Sequence, residues 1–455
     1  MNLKKDLVKV LGANFIQFLI GVVNGFLIPA VLEIDQYAYL KTFTLYTSYV
    51  GVLHFGFNDG IYLKYGGRKR HEIDLSSLKY ERNFLLKFQL VVTLIFIVLG
   101  VLKKDFIIIS FALTIVPSNL RTFFNFLYQA MGEFSVYSKI AVIYPISLLT
   151  FNLIIIFVLN SKSYIPFVIS YLIALYLPYL VYEIEYNRSF KINNVAVGKD
   201  FSEIKMLFKI GIFIMLGNLS TLLVYSLDRW FVKLWLTIED FAFYSFAVSL
   251  MSVINLVISS VAMTFYPYLS RGYTESLLNK LKSYLIIVGS ISSTSYFIIG
   301  LIVKVFLFKY VKSLDIISIL FASFPATAII SVLYTNLYKV NKLERKYFRT
   351  VVTILIISFT LNTIALSIGH NSQSIALATT ITFYIWLFYS LKDFRDLRFH
   401  QKEFLFLVVY LSLFFICTLV LGFMEGFVTL GAGIFLLTIT IYKKEFIELI
   451  GEIFK

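Results

Sequence analysis

Long apolar segments alternate with short polar segments along nearly the whole chain. About fourteen of them are long enough to cross the roughly 30 Å hydrocarbon core of a bilayer as helices. We place these spans at residues 10–32, 37–57, 84–102, 106–128, 138–159, 164–182, 208–234, 241–268, 284–307, 314–338, 350–368, 374–391, 403–422 and 427–442. The pattern predicts an all-α, polytopic membrane protein.

Composition and charge agree with this prediction. Hydrophobic residues make up 59% of the chain, charged residues make up 15%, and the mean hydropathy is +0.83, which excludes an ordinary soluble protein. The net charge is +15, and the lysines and arginines concentrate in alternate loops. Because cytoplasmic loops of membrane proteins are enriched in these residues, we expect both termini to be cytoplasmic. Orientation in the membrane accounts for the basic excess, so no nucleic-acid partner is predicted.

The sequence offers little material for metal or nucleotide chemistry. Cys417 is the single cysteine, and the four histidines are scattered, so neither a disulfide nor a metal site is predicted. The Gly198-Lys199 pair is followed by Asp200, which excludes a Walker A motif there. The loops expected outside are short connectors, such as 160–166 and 369–374. We therefore expect no cofactor and no enzymatic activity.

A repeat links two parts of the chain. Residues 32–39 align without gaps with residues 236–243, at an offset of 204. Extending that offset backwards pairs Asn14, Gln17, Gly21 and Asn24 with Asn218, Thr221, Tyr225 and Asp228. The 3-4-3 spacing predicts that each set follows one face of a helix. A polar stripe on a helix in lipid must face protein or water, so the stripes predict a polar cavity between two similar halves.

The repeat also predicts the domain organisation. Six spans separate the two copies, so both lobes have the same orientation in the membrane. A second similarity relates Leu127, Tyr128 and Tyr137 to Leu337, Tyr338 and Tyr347 at an offset of 210. We predict an N-lobe of spans 1–6 (1–186), a cytoplasmic linker (187–207), a C-lobe of spans 7–12 (208–395) and an appended helix pair with the C-terminal tail (396–455).

Two charged positions in the seventh span have two interpretations. A charge at the bilayer centre costs roughly 2.5–3.5 kcal/mol, so Asp228 and Arg229 should not both face lipid. They lie about 30 Å along the span, which is near its outer end. There they would be an interfacial pair with aromatic anchors, or they would line the mouth or gate of the cavity. We favour the second interpretation because Asp228 continues the polar stripe.

Arg121 and Asp59 are candidates nearer the cytoplasmic side. Arg121 lies about 22 Å into its span, where it would bind a phosphate or carboxylate or would extend its guanidinium to the cytoplasmic surface. Asp59 belongs to the segment Gly56-Phe-Asn-Asp-Gly60, whose residue types are typical of a turn at a helix end. We favour the turn, but the similar depth of Asp59 and Arg121 also predicts a pair at an inner gate.

Three motifs resemble those of a known transporter family. Leu227-Asp-Arg-x-x-Val followed by Leu236-x-x-x-x-Phe-Ala-Phe-Tyr resembles the seventh-span signature of polysaccharide flippases. Residues 56–66 and Tyr128-Gln-Ala-x-Gly-x-Phe134 resemble the ends of spans two and four in O-antigen transporters. These transporters belong to the multidrug/oligosaccharidyl-lipid/polysaccharide exporter superfamily. The resemblance implies two six-helix lobes around a central cavity that alternate between inward and outward states in the bacterial inner membrane.

The resemblance also implies a cargo, an undecaprenyl-diphosphate-linked oligosaccharide for O-antigen in lipopolysaccharide, capsule or another surface polysaccharide. Membrane lipid, a polysaccharide polymerase and glycosyltransferases of the same pathway would be partners. One alternative is a cation-coupled multidrug exporter, which is less favoured because the stripes offer only Asn, Gln and Thr at mid-membrane. Another is a membrane glycosyltransferase or polysaccharide polymerase, since Glu33-Ile34-Asp35 resembles a Glu-x-Asp signature, but the outer loops are short.

Overall fold

The computed structural model describes the backbone of residues 3–191, 195–196, 200–270, 272–394, 397 and 399–453. Side chains are described for residue 12 and from residue 15 onward within those ranges, apart from 257, 259–268, 270, 444 and 446–453. The described residues contain twenty α-helices and no β-strand. The predicted all-α fold is therefore confirmed.

The first nine helices begin within the first half of the chain and alternate with short connections. They are α1 (Leu3–Val31), α2 (Ile34–Thr47), α3 (Phe57–Tyr65), α4 (Leu75–Lys103), α5 (Phe106–Ala130), α6 (Phe134–Ala141), α7 (Ile143–Phe157), α8 (Tyr164–Phe190) and α9 (Phe201–Val224). The remaining helices are α10 (Leu227–Trp235), α11 (Ile238–Ser270), α12 (Glu275–Ser293), α13 (Ser295–Phe306), α14 (Ser313–Phe321), α15 (Phe324–Ala328), α16 (Thr335–Val340), α17 (Glu344–Gly369), α18 (Ser372–Ser390), α19 (Gln401–Leu419) and α20 (Phe423–Ile453).

Each predicted span falls on one helix or on consecutive helices, but the number of crossings stays a prediction. Within the described residues, ten helical segments are long and apolar enough to cross a membrane. The pair 313–321 and 324–340, which bends by 50°, would be an eleventh. Many apolar side chains on these helices are exposed, including Ile368 at 84% and Phe306 at 75%. Apolar surface of this kind is suited to contact with lipid.

Local sequence determines where several helices begin. Asp74 accepts hydrogen bonds from the backbone N–H groups of Ser76 (3.0 Å) and Ser77 (3.4 Å) at the start of α4. Asp105 accepts one from Ile107 (2.8 Å) at the start of α5. A carboxylate at this position satisfies N–H groups that have no partner within the helix. These caps fix the borders that hydropathy alone leaves uncertain.

The chain divides by its internal contacts into two compact units, Met1–Leu219 and Ser220–Lys455. The first unit includes α1 to α8 and most of α9, and its core is rich in stacked rings such as those of Phe124, Tyr128 and Tyr182. The predicted linker, 187–207, lies partly outside the described residues. The division into lobes and an appended pair stays a prediction.

The second predicted span is interrupted. After α2, a 3₁₀ segment runs from Val50 to His54, and Phe55 (φ +51°) and Gly56 (φ +84°) are left-handed. The break leaves backbone carbonyls without helical partners. The Asn119 side-chain amide donates to the carbonyl of Val50 (3.2 Å), and that of Gln89 donates to the carbonyl of Leu53 (3.1 Å). Such substitutes are needed wherever a helix is interrupted in an apolar environment.

Candidate functional site

The first unit contains a cavity of about 490 Å³. Residues of five helices, α1, α5, α6, α7 and α8, form its wall. Half of the lining residues carry polar or charged groups, and these are Gln17, Asn24, Arg121, Asn125, Tyr137, Tyr144 and Tyr182. The apolar part is formed by Ile20, Gly21, Ile140, Ala141, Pro145, Leu148 and Pro178. A wall that combines apolar surface with convergent polar groups is typical of a ligand cavity.

The polar stripe of α1 faces this cavity. Gln17, Gly21 and Asn24 all line it, and their 4-3 spacing places them on one side of the helix. A Cβ atom added at Gly21 would meet nothing within 4 Å, so the space beside this residue is open. Asn24 is held by Asn152, whose side-chain amide donates to the Asn24 Oδ1 atom (3.0 Å). The side chain of Asn14 lies outside the described residues.

Arg121 contributes the positive charge of the cavity. Its Cζ atom lies 5.2 Å from the ring centroid of Tyr144, which is a cation–π distance. Its Nε atom is buried without a hydrogen-bond partner, and no carboxylate of the described residues lies within 4 Å of the guanidinium. A partly buried guanidinium with unused donors is suited to bind an anion.

A proline shapes the helix one turn before this arginine. Pro117 has no N–H, so the carbonyl of Leu113 lacks its helical partner. The hydroxyl of Tyr176 donates to that carbonyl (3.1 Å) and satisfies it. Helix α5 therefore continues through the proline, and Arg121 and Asn125, four residues apart, both reach the cavity wall. The hydroxyl of Tyr182 donates to the Asn125 Oδ1 atom at 2.5 Å.

Asp59 does not line this cavity. It lies in the first turn of α3, is 5% exposed, and its Oδ2 atom is 3.9 Å from the Nε2 atom of His54. No ion pair joins Asp59 to Arg121 in the described part of the chain. Gly56 adopts the left-handed conformation expected of a turn, but α3 then continues to Tyr65. The pair at an inner gate is not formed here.

The second polar stripe does not follow one helix face, which corrects the sequence interpretation. Helix α9 ends at Val224 and α10 begins at Leu227, so Asp228 belongs to a different helix from Asn218 and Thr221. The hydroxyl of Ser226 donates to the carbonyl of Leu222 (2.6 Å). Residues 225 and 226 form a turn between the two helices. The prediction that one helical period continues across residues 225–226 was therefore wrong.

The members of this second set have separate surroundings. Asn218 is exposed, and the hydroxyls of Thr221 and Tyr347 lie 3.2 Å apart. The ring of Tyr225 packs against those of Phe383 (5.2 Å) and Trp386 (5.9 Å). These contacts anchor the end of α9 to α17 and α18 within the second unit. These contacts alone explain why a polar or aromatic side chain stands at positions 221 and 225, so neither position requires a ligand.

Asp228 is buried in the second unit at 3% exposure. Its carboxylate accepts hydrogen bonds from the hydroxyls of Tyr244 (2.8 Å) and Thr379 (3.4 Å) and from the backbone N–H of Arg229 (2.7 Å). These bonds connect α10 to α11 and α18. The Arg229 side chain is partly exposed, and its Nε atom has no hydrogen-bond partner among the described residues.

Sequence reasoning missed four polar wall residues of the cavity, Asn125, Tyr137, Tyr144 and Tyr182. Asn125 could have been found, because it follows Arg121 by one helical turn. Tyr137 belongs to the weaker internal similarity, where it pairs with Tyr347. The other two tyrosines carry no signal, since tyrosine is common throughout the spans. No group of three or more His, Cys, Asp or Glu side chains suited to a metal occurs among the described residues.

Solved structures of similar fold are lipid flippases and multidrug transporters. "Lipid II flippase MurJ, inward closed conformation" covers 95% of this chain and 98% of its own, with a TM-score of 0.72 and 15% identity. An inward-facing multidrug resistance MATE family transporter of the MOP superfamily covers 84% of this chain and 98% of its own (TM-score 0.61, 10% identity). The Vibrio cholerae MATE transporter VcmN D35N mutant covers 87% and 97% (TM-score 0.53, 11% identity).

The chain shares its fold with these flippases and transporters. At these identities the similarity extends to the fold, and the proteins named are flippases and transporters rather than enzymes. No protein-family model matches the sequence, and no curated protein matches it. A function for this chain must therefore be argued from the residues of the site.

Proposed function

We propose that this protein is a flippase that moves an undecaprenyl-diphosphate-linked oligosaccharide across the bacterial inner membrane by alternating access. The cargo serves the synthesis of O-antigen, capsule or another surface polysaccharide. Both termini lie in the cytoplasm, and the polymerase and glycosyltransferases of the pathway act on the same lipid-linked intermediate. The observation that carries the proposal is the unpaired guanidinium of Arg121 in a polar and aromatic cavity.

The chemistry of the cavity matches the head of such a cargo. A diphosphate or an acidic sugar offers oxygen acceptors for the unused donors of Arg121. The amides of Gln17, Asn24 and Asn125 can bond sugar hydroxyls as donors or acceptors. A cationic drug, in contrast, would meet a positive charge in this cavity, and none of the described wall residues carries a carboxylate. The cavity therefore favours the flippase over a cation-exporting relative.

Reconstitution tests the proposal directly. Purified protein in proteoliposomes should transfer a short lipid-linked oligosaccharide to the opposite leaflet, where an impermeant glycan-modifying reagent reports its arrival. Liposomes without protein, and liposomes with the Arg121→Ala variant, are the controls. Transport of a fluorescent cationic drug without movement of the lipid-linked oligosaccharide would instead identify a multidrug exporter. Elongation of the glycan would identify a polymerase or glycosyltransferase.

A further inference from the structure

The first three turns of α9 lie against α3 and α4, and the backbone of α9 comes unusually close to that of α3. Gly56 and Gly60, one turn apart, face the backbone of Leu207, Gly211 and Ile212. A Cβ atom added to Gly211 would overlap the carbonyl oxygen of Gly56, and one added to Gly56 would lie 2.5 Å from the backbone nitrogen of Ile212. The helices therefore touch through their backbones. Small residues at this spacing allow helices to pack closely in a membrane.

An ion cluster lies at the end of the same contact that the charge distribution predicts to be cytoplasmic. The Nζ atom of Lys64 on α3 is 2.5 Å from Oε1 of Glu81 on α4 and 2.9 Å from Oε2 of Glu203 on α9. The hydroxyl of Tyr65 donates to the other oxygen of Glu81 (2.7 Å). One lysine thus bonds two carboxylates, and only one of these belongs to α9.

The two carboxylates differ in burial, and this difference makes the contact with α9 reversible. The Glu81 side chain is fully buried, whereas that of Glu203 is 33% exposed. If α9 moved away, Glu81 would keep its bonds to Lys64 and Tyr65, so no buried charge would lose its partner. Glu203 would pass into water, where an exposed ion pair is worth little. Opening therefore avoids the cost of stranding a buried charge.

Aromatic rings complete the contact. The ring of Phe208 on α9 lies 5.4 Å from that of Phe57, 6.1 Å from that of Phe84 and 6.0 Å from that of Phe88. Phe208 is only partly buried. Surrounding lipid would solvate such a ring after separation, because the contact gains no hydrophobic driving force within a bilayer.

We propose that these contacts form a clamp, defined as Gly56, Gly60, Lys64, Glu203, Phe208 and Gly211, that holds the start of α9 on α3 and α4 and opens once in each transport cycle. The proposal rests on the proposed transport function. It assigns the gating role, which the sequence suggested for Asp59 and Arg121, to a different set of residues. Glu203 is the releasable charge, because it separates from Lys64 when α9 moves away. Glu81 is the fixed charge, because it keeps its bond to Lys64.

Two cysteine pairs with a shared member test the clamp in a Cys417→Ala background. Phe88 and Phe208 have ring centroids 6.0 Å apart across the clamp, and Phe55 and Phe88 are also 6.0 Å apart but do not involve α9. Each pair of Phe→Cys substitutions is cross-linked with a short bis-methanethiosulfonate reagent. We expect the 88–208 cross-link to abolish transport of lipid-linked oligosaccharide, a reductant to restore it, and the 55–88 cross-link to leave it unchanged. Full transport by the 88–208 cross-linked protein would overturn the clamp.

A second measurement does not depend on the cargo. Spin labels are attached to the same two pairs of positions, and spectra are recorded in proteoliposomes. We expect weaker dipolar line broadening for the 88–208 pair than for the 55–88 pair, because the clamp is open in part of the molecules. Glu203→Gln should weaken the 88–208 broadening further because it removes the releasable charge. Full broadening in both pairs and in the Glu203→Gln protein would contradict the clamp. If the wild-type protein moves no lipid-linked oligosaccharide, the proposed cargo is wrong, and these spectra still decide whether the clamp opens.

Discussion

Lys282 and Glu403 form a fully enclosed ion pair within the second unit, with 2.9 Å between Nζ and Oε2 and side-chain exposures of 0% and 2%. The pair joins α12 to α19, the first helix of the predicted appended pair. The lysine also donates to the Asn279 side-chain oxygen (3.1 Å), and the Glu403 carboxylate accepts the backbone N–H of His400 (2.8 Å). Helix α19 is thus attached by a buried ion pair, and we expect the loss of either partner to destabilise the fold.

We expect Glu403→Gln and Lys282→Met each to lower the free energy of unfolding by about 3–5 kcal/mol, because each leaves a buried charge without its partner. The double variant Lys282→Met/Glu403→Leu should be less destabilised than the sum of the single variants. Thermal unfolding in detergent, followed by loss of monodisperse protein, measures this. Single variants as stable as the wild type would mean that water reaches the pair.

Arg121 should be required for transport but not for folding. Removing a bond between charged groups costs about 1.5–3 kcal/mol, so Arg121→Ala should reduce the initial flipping rate by about tenfold or more. Arg121→Lys should retain part of the rate, because it keeps the charge but loses the planar donor pair. Arg82→Ala is a matched control, since Arg82 pairs with Glu183 outside the cavity. In cells, full-length lipid-linked oligosaccharide should accumulate on the cytoplasmic leaflet.

The face of α1 is testable by chemical labelling. We expect Gln17→Cys and Asn24→Cys to react with a small hydrophilic thiol reagent, because both side chains line the cavity. Leu19→Cys should react poorly, since Leu19 is 47% exposed but lies outside the cavity wall, on the side suited to lipid. A lipid-facing thiol remains protonated and unreactive. Equal protection of all three positions would show that water does not enter this cavity.

Topology remains a prediction of the charge distribution, and two exposed lysines test it. Lys69 lies between α3 and α4, and Lys162 lies between α7 and α8. With cytoplasmic termini, Lys162→Cys should be labelled by an impermeant reagent in intact cells, whereas Lys69→Cys should be labelled only after permeabilisation. The reverse result would invert the orientation and place the clamp on the outer side.

The sequence predicted some parts of this site and not others for identifiable reasons. Gln17, Gly21 and Asn24 could be predicted because one unbroken helix preserves the 3.6-residue period. Arg121 could be predicted because a charge in an apolar span requires a partner or water. The second stripe failed because α9 ends at Val224 and a new helix begins at Leu227, so the helical period does not continue to Asp228. Tyr144 and Tyr182 reach the cavity because α7 packs against α8 and α8 packs against α5, and no local sequence pattern records such packing.

Two glycines on the same helix provide the sharpest test of the close contact in the first unit. Gly211 and Gly217 both lie within α9, so a methyl group gives each the same gain in helix propensity, up to about 1 kcal/mol. Their surroundings differ. A Cβ at Gly217 would meet nothing within 4 Å, whereas one at Gly211 would overlap the carbonyl oxygen of Gly56.

We therefore expect Gly217→Ala to leave the free energy of unfolding unchanged or slightly raised. Gly211→Ala should lower it by about 1–3 kcal/mol, the usual cost of overpacking, because the obstacle is backbone and cannot rotate away. If the clamp opens during transport, Gly211→Ala should also shift the 88–208 spin-label pair toward the separated state, and Gly217→Ala should not. Equal stability of the two alanine variants would show that α9 does not rest on α3 as closely as described.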